Sequence, residues 1–206
     1  MLKILGRKNS GNVQKVLWAC DEIGLAFERE DYGLQFGRNK EPAYLAMNPN
    51  GTIPTIIDDG YVLWESNAIV RYLGDKYGRG KIMPETPQER ALADQWMDWQ
   101  QTVVLSAIGP VFQGIVRTKP ENRDLAAIRV ARDKLAKTME ILDGRLAKAP
   151  YVAGPRFTVG DIPVGIMAYR WYTIDIEREN FQNLRAWYER LCERPGFKKH
   201  VMIGLT

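Results

Sequence analysis

Residues 48–73 read NPNGTIPTIIDDGYVLWESNAIVRYL. An apolar strand over 53–57 meets a proline at Ile53-Pro54, and a second short strand over 61–64 runs straight into Glu65-Ser66 and a helix. Asp59-Gly60 between the strands is a hairpin turn signal. A proline cannot donate to a strand ladder. It is tolerated as a cis X-Pro bond in a tight turn, which leaves the preceding backbone, here Ile53, free to pair with something else. A Glu-Ser pair opening a helix brings unpaired N–H groups and the positive end of a dipole, which suits a carboxylate. The stretch therefore predicts a peptide-binding edge beside a carboxylate pocket.

Upstream, Leu2 to Gly6 reads as a short buried strand. From Asn12, residues Val13, Val16, Leu17, Cys20 and Ile23 fall at three- and four-residue spacing, the period of a helix, and Gly24 is placed to stop it. Phe27 to Tyr32 alternates like a second strand. A glycine-punctuated loop over 33–41 leads to Pro42, which suits the first turn of a short helix ending near Met47. A helix over 66–77 closes the unit. The order is β-α-β-α-β-β-α. The first two strands, joined through a helix, should be parallel, and the last two form a hairpin. A mixed four-stranded sheet flanked by helices is expected.

Downstream, GRGKIMPETP over 78–87 is dense in glycine and proline and reads as a linker. Beyond it the pattern turns helical. One long helix is expected over about 89–117, kinked or broken at Gly109-Pro110, and another over about 122–147. Such lengths fit a helical bundle. Thr158 and Asp161 have capping-box spacing, with Asp in place of the usual Glu or Gln. A last helix is expected over 183–194, ended by Pro195-Gly196.

A chain of 206 residues has room for one large or two small domains. The net charge of +4 is dispersed: basic residues are scattered among acids, as in Arg129, Arg132, Asp133, Lys134 and Lys137, and describe a solvated helix face rather than a nucleic-acid patch. The two cysteines, Cys20 and Cys192, lie far apart in apolar helical patterns and read as buried free thiols in a reducing compartment. The opening MLKILGRKN has too short an apolar run for a signal peptide, and no run approaches the ~20 residues of a spanning helix. A cytoplasmic protein with no membrane or nucleic-acid partner is expected. No zinc, P-loop or dinucleotide motif is present, so no metal is expected. His200, the sole histidine, is given no role.

Ser10 lies in the loop between the first strand and the first helix, where a hydroxyl and the backbone amides of a helix N-terminus favour an anion. By itself it could equally be a helix N-cap. Taken with NP-x-G-x-[IV]-P over 48–54 and E-S-x-A-I over 65–69, the chain resembles the cytosolic glutathione transferases along nearly its whole length. The resemblance implies a thioredoxin-like domain over 1–78, a linker over 79–87, and an all-helical domain over 88–206 that carries a hydrophobic substrate site. The class is α/β followed by all-α. It implies that Ile53 and Pro54 pair with the cysteinyl backbone of glutathione, and that Glu65 and Ser66 bind its γ-glutamyl carboxylate. Asn39-Lys40-Glu41-Pro42 is similar to the family's His-Lys-x-Pro loop at the glycyl carboxylate. Thr52 stands where many relatives carry Gln. Ser10-Gly11-Asn12-Val13-Gln14-Lys15 resembles the S-x-N-x-x-R stretch of serine-type transferases such as the plant phi class, which makes Ser10 the donor to the glutathione sulfur. Asn12, one step nearer the helix, is the second candidate.

Tyrosine-type classes need a Tyr in this loop, and it has none. Cysteine-type classes need a Cys near Ser10, and Cys20 comes about three helical turns too late. A thiol with an ordinary pKa near ~8.5 is only a few per cent ionised at pH 7. A hydroxyl donor at a helix N-terminus lowers that pKa. The resemblance thus implies conjugation of the glutathione thiolate to a small hydrophobic electrophile, a role in detoxification, and a homodimer. Ile108, Val111, Phe112 and Ile115 on the kinked helix are candidates for the hydrophobic site. A non-catalytic binding protein, or peroxidase or isomerase chemistry on the same thiolate, remains the alternative reading.

Overall fold

The computed structural model describes residues 1–205. Its sheet has the order β2-β1-β3-β4, with β1 Leu2–Leu5, β2 Phe27–Glu30, β3 Thr55–Asp58 and β4 Tyr61–Trp64. β1 pairs with β2 in parallel and with β3 antiparallel, and β3 pairs with β4 antiparallel. The mixed sheet is the one expected. β3 starts two residues later than the sequence pattern suggests. Pro54 has no N–H to give the ladder, and the pairing opens at Thr55 opposite Leu5.

Alternation along β1 assigns the two faces. Leu2 and Ile4 join the main core under α1 (Gly11–Ile23) and α3 (Ser66–Tyr77), while Leu5 meets Tyr32 and Tyr44 on the other face. Tyr44 belongs to the short α2 (Pro42–Leu45). Gly24 stops α1 in the left-handed conformation, φ 79°, with its N–H bonded back to the carbonyls of Asp21 and Cys20. Asp58, buried at the end of β3, ties α3 to the sheet. Its carboxylate accepts from the Tyr72 and Tyr77 hydroxyls and from Lys76 Nζ at 2.8 Å. Burial alone would raise its pKa, but these donors prevail and hold it below the ordinary value.

The linker is pinned to the second half by Val159, whose N–H donates to the Ile82 carbonyl. Then follow α4 (Pro87–Trp99), α5 (Leu105–Phe112), α6 (Leu125–Leu146), α7 (Asp161–Thr173), α8 (Gln182–Cys192) and α9 (Pro195–His200). Capping residues start two of these as expected of their side chains: Thr86 accepts from the Glu89 N–H, and Asp124 accepts from the Ala127 N–H.

Three local expectations are corrected. The chain from 87 to 117 does not break at Gly109-Pro110; Pro110 lies inside α5, and wide π-type turns flank it at 100–104 and 113–117. Val104, Ala107, Ile108 and Val111 are fully buried along this segment, so packing keeps it helical and the wide turns absorb the misfit. Pro195 does not simply end the last helix but opens α9, at the position where a missing N–H costs nothing. Cys20 is buried, but Cys192 is only half-buried.

α7 is buried along most of its length and forms the axis of the helical half. Its packing joins the two halves. Trp18 of α1 is fully buried against Phe157 and Phe197, with ring centroids 5.4 and 4.8 Å away. Gly165 of α7 and Gly196 of α9 lie so close to the Trp18 ring that a Cβ at either would come within 3.0 and 2.8 Å of it. Glu22 accepts from Trp18 Nε1 and from Arg194 Nε, at 2.7 and 2.8 Å. His200, which has no acidic neighbour in sequence, finds Asp21 at 3.1 Å in space.

Candidate active site

The carboxyl end of β1, the N-terminus of α1, the turn at Pro54 and the N-terminus of α3 meet at one edge of the sheet. Ser10 is the N-cap residue of α1 by position, yet its side chain makes no capping bond. Its backbone does the structural work: the carbonyl accepts from the Gln14 N–H at 2.8 Å. The hydroxyl, on a nearly buried residue at the positive end of a helix, is left available as a donor. Asn12, one turn position further, is exposed.

The Ile53-Pro54 bond is cis. Beneath this turn a side-chain cluster holds the loop. Tyr44 Oη and Asn48 Nδ2 donate to the Thr52 carbonyl at 2.6 and 2.9 Å, and both reach Thr55 Oγ1. Thr52 is thus fixed through its carbonyl. The backbone N–H and C=O of Ile53 make no hydrogen bond to another described residue, so they remain open to an extended peptide.

Glu65 precedes α3 with φ 71°, a conformation that costs a non-glycine residue roughly 1–3 kcal/mol. Strain of this kind persists where the surroundings over-determine it, and Glu65 is exposed at the start of α3. Ser66, buried behind it, accepts a hydrogen bond from Lys15 Nζ at 3.3 Å. That leaves the Ser66 hydroxyl proton to point elsewhere. Lys15 is fully buried and also donates to Asn67 Oδ1 and Gln100 Oε1, both at 3.0 Å. Burial, together with the nearby Arg170 charge, pushes its pKa down to about 7. Its three acceptors match the three donors of an ammonium group, and they link α1, α3 and the wide turn after α4.

Asn39 and Lys40 are drawn to the same edge by the turn at Asn50-Gly51. Asn39 Nδ2 donates to the Gly51 carbonyl at 2.7 Å, and Lys40 Nζ to the Asn50 carbonyl at 3.1 Å. Gly51 has φ 57°, and a Cβ there would lie 2.6 Å from Lys40 Nζ and 2.8 Å from the Asn39 carbonyl oxygen. Only glycine allows this approach.

On the helical side the candidates divide. Ile108 and Val111 are fully buried in the core, Phe112 is nearly so, and Ile115 is half-buried. What covers Phe112 is charge. The guanidinium of Arg170, from α7, sits 4.5 Å from the Phe112 ring centre, and that of Arg117 at 5.6 Å. Arg170 also abuts the first turn of α1, where a Cβ on Gly11 would meet its Nη2 at 2.7 Å. Burial and the Arg117 charge push the Arg170 pKa down to about 10. Arg7, on the loop before Ser10, is lowered for the same two reasons, burial first. Motif reading did not find these arginines. The available signal was Arg170 itself, the one basic residue in the mostly apolar α7.

Among the described residues no group of three or more His, Cys, Asp or Glu side chains is placed to hold a metal ion, and no helix is long and apolar enough to cross a membrane.

A thioredoxin-like sheet with a cis-proline edge, joined to an all-helical half that packs against the same edge, defines a two-part architecture. Two family descriptions match in that order: "Glutathione S-transferase, N-terminal domain" over residues 2–75 and "Glutathione S-transferase, C-terminal domain" over 100–195. The glutathione S-transferase GstB of Escherichia coli is 41% identical, with the whole of both chains covered. The glutathione S-transferase F13 of Arabidopsis thaliana is 32% identical over all of this chain and 96% of its own. Among solved structures, a theta class glutathione S-transferase from Xanthomonas axonopodis pv. citri with glutathione bound superposes with a TM-score of 0.95. It is 45% identical, over 100% of this chain and 99% of that one. The chain belongs to the glutathione S-transferase family of enzymes.

Proposed function

We propose that this transferase conjugates the thiolate of glutathione to a small electrophile, and that Ser10 is the donor that stabilises the thiolate. The observation that carries this reading is the Ser10 hydroxyl, set at the N-terminus of α1 and not spent on capping it. In the pose this implies, the cysteinyl backbone of glutathione pairs with the open N–H and C=O of Ile53. The γ-glutamyl carboxylate sits at the start of α3 and accepts from the Ser66 hydroxyl, while exposed Glu65 faces the amino group. Lys40 and Asn39 reach the glycyl carboxylate. The glutathione-bound Xanthomonas relative supports the choice of peptide. Residues 1–78 then supply the nucleophile and residues 88–206 the wall against which the electrophile rests. No covalent enzyme intermediate is required: a bound thiolate and a positioned electrophile suffice. The same chemistry fits a detoxifying homodimer in a reducing, cytoplasmic setting, where Cys20 and Cys192 stay free thiols; sedimentation as a monomer would remove the dimer from this reading.

The test is the ultraviolet absorbance of the bound thiolate as a function of pH, in the wild type and in Ser10→Ala. The expected result is ionisation well below the free pKa, mostly reversed by the substitution, each unit being worth about 1.4 kcal/mol. A shift that survives Ser10→Ala moves the donor role to Asn12. Glutathione bound with no shift leaves a binding protein rather than a conjugating enzyme.

A further inference from the structure

Lys15 stands one side chain behind the start of α3. Its Nζ is fully buried and meets three oxygens, Asn67 Oδ1 and Gln100 Oε1 at 3.0 Å and Ser66 Oγ at 3.3 Å. The three are not equivalent. Amide oxygens only accept, whereas a hydroxyl accepts or donates. Both amides are held the way round they are, because Asn67 Nδ2 donates to the Met97 carbonyl at 2.9 Å and to Gln100 Oε1 at 3.4 Å. Turning Asn67 over sets two oxygens face to face, and turning Gln100 over sets two N–H groups face to face. An ammonium gives one proton to each of its three acceptors, so the Ser66 proton points away from Lys15 and is free for a ligand. A neutral amine has two protons and a lone pair. Among these three partners only the Ser66 hydroxyl can fill that lone pair, and it does so by turning its proton inward.

The surrounding charge lets the proton come and go. Burial and the Arg170 charge, from α7, push the amine down to about 7, while Glu65 at the start of α3 draws the proton back. The wide turn over 100–104 carries no charged residue. Asp94 and Asp98 of α4 pair with Arg71, and the acids of α1, Asp21 and Glu22, pair with Lys199 and Arg194. We propose that Lys15 is a positioning residue of the glutathione site: protonated, it turns the Ser66 hydroxyl outward to the γ-glutamyl carboxylate, and neutral, it withdraws that donor, so the peptide is taken up together with a proton. The proposal rests on the placement of that carboxylate at Ser66 given above. A bound carboxylate adds negative charge near a buried amine and so raises its pKa. Affinity is highest where Lys15 is already protonated, falls as pH rises through the free and then the bound value, and levels off above both.

S-Methylglutathione has no thiol to ionise, which keeps the test clear of Ser10. Calorimetry in buffers of different ionisation enthalpy counts the protons exchanged on binding. Near pH 7.5 the wild type should take up about half a proton per site, and its Kd should rise about tenfold between pH 6.5 and 9. The ligand's own amino group titrates in the upper part of that range, so the reading is the difference from Lys15→Met, in which the uptake near pH 7.5 should vanish. Lys15→Arg, charged throughout, should bind tightly without the fall. Ser66→Ala should lose affinity at pH 6.5 and little at pH 9, where the wild-type hydroxyl is already turned inward. Binding without uptake by the wild type, or equal uptake in Lys15→Met, overturns the proposal and leaves the glutathione reading intact. Should Lys15→Met fail to fold, uptake that survives in Lys15→Arg overturns it equally. No binding of S-methylglutathione by the wild type removes both. Uptake that depends on Lys15, in a protein that does not conjugate glutathione to 1-chloro-2,4-dinitrobenzene, keeps this inference and defeats the conjugation reading.

Discussion

At the scale of single residues, the site depends on groups that are close only because one of them lacks a side chain. Gly51 adopts a left-handed φ of 57°, and the Asn39 and Lys40 contacts close over the place where a Cβ would sit. Gly51→Ala should therefore cost about 1–3 kcal/mol in urea unfolding. If Lys40 and Asn39 meet the glycyl carboxylate, the same change should raise the KM for glutathione more than it lowers kcat. An unchanged KM in a destabilised variant would remove those two residues from the site. Ser10 and Ser66 illustrate the opposite economy, in which the side chain is free because something else performs its structural task. The Ser10 carbonyl starts α1, and Lys15 takes a lone pair of Ser66, so both hydroxyl protons stay available.

At the scale of elements, α7 shows how a buried helix is started. Asp161 accepts from the N–H groups of Val152 and Thr158, the Thr158 hydroxyl and Trp187 Nε1, at 3.0, 2.9, 3.3 and 3.0 Å. One carboxylate thus fixes the start of α7, the turn before it and a ring of α8. Asp161→Ala strands four donors in the core and should cost about 3–5 kcal/mol, read from denaturant midpoints; a loss below about 1 kcal/mol would mean the donors find other partners. The Thr158–Asp161 spacing made this box legible from sequence, as did the hairpin, α3 and the βαβ order, because each is written in a local period or a short motif. The wide turns around Pro110 were not legible. Their cause is the burial of Val104, Ile108 and Val111 against distant residues, which no local signal carries. Pro195 was misread for a related reason: a proline marks both the end of one helix and the first turn of the next. In the site, motif residues were readable one by one. The burial of Lys15 and the gathering of Arg7, Arg117 and Arg170 depend on where α5 and α7 dock, and docking leaves no pattern in the local sequence.

At the scale of the molecule, the two halves share charge as well as apolar surface. Lys15 of the sheet domain reaches Gln100 of the helical half with its amine fully buried. Unfolded, this amine keeps its proton to an ordinary pKa of 10.5; folded, it releases it near 7. Between those values the unfolded chain binds more protons, so stability should rise with pH, by up to about 1.4 kcal/mol per unit from this group. Asp161 acts in a separate window. Burial raises its pKa to about 6 from 3.8, so the folded state holds the proton longer and stability from this group falls as pH rises from about 4 to 6. Unfolding free energies measured in urea from pH 7 to 9.5 should climb in the wild type and flatten in Lys15→Met. Parallel curves for the two proteins would show that the buried amine is not the titrating group.

The cage around Trp18 has a consequence for how the polypeptide is made. Its walls are Phe157, Gly165, Gly196 and Phe197, and Arg194 closes over it through Glu22. During synthesis, α1 emerges from the ribosome some 180 residues before Phe197 does, at about 5–20 residues per second. For on the order of ten seconds or more, the nascent sheet domain carries an uncovered indole on its outer helix. Whatever holds the nascent chain in solution through that interval must act on the half that is finished first in sequence and last in structure.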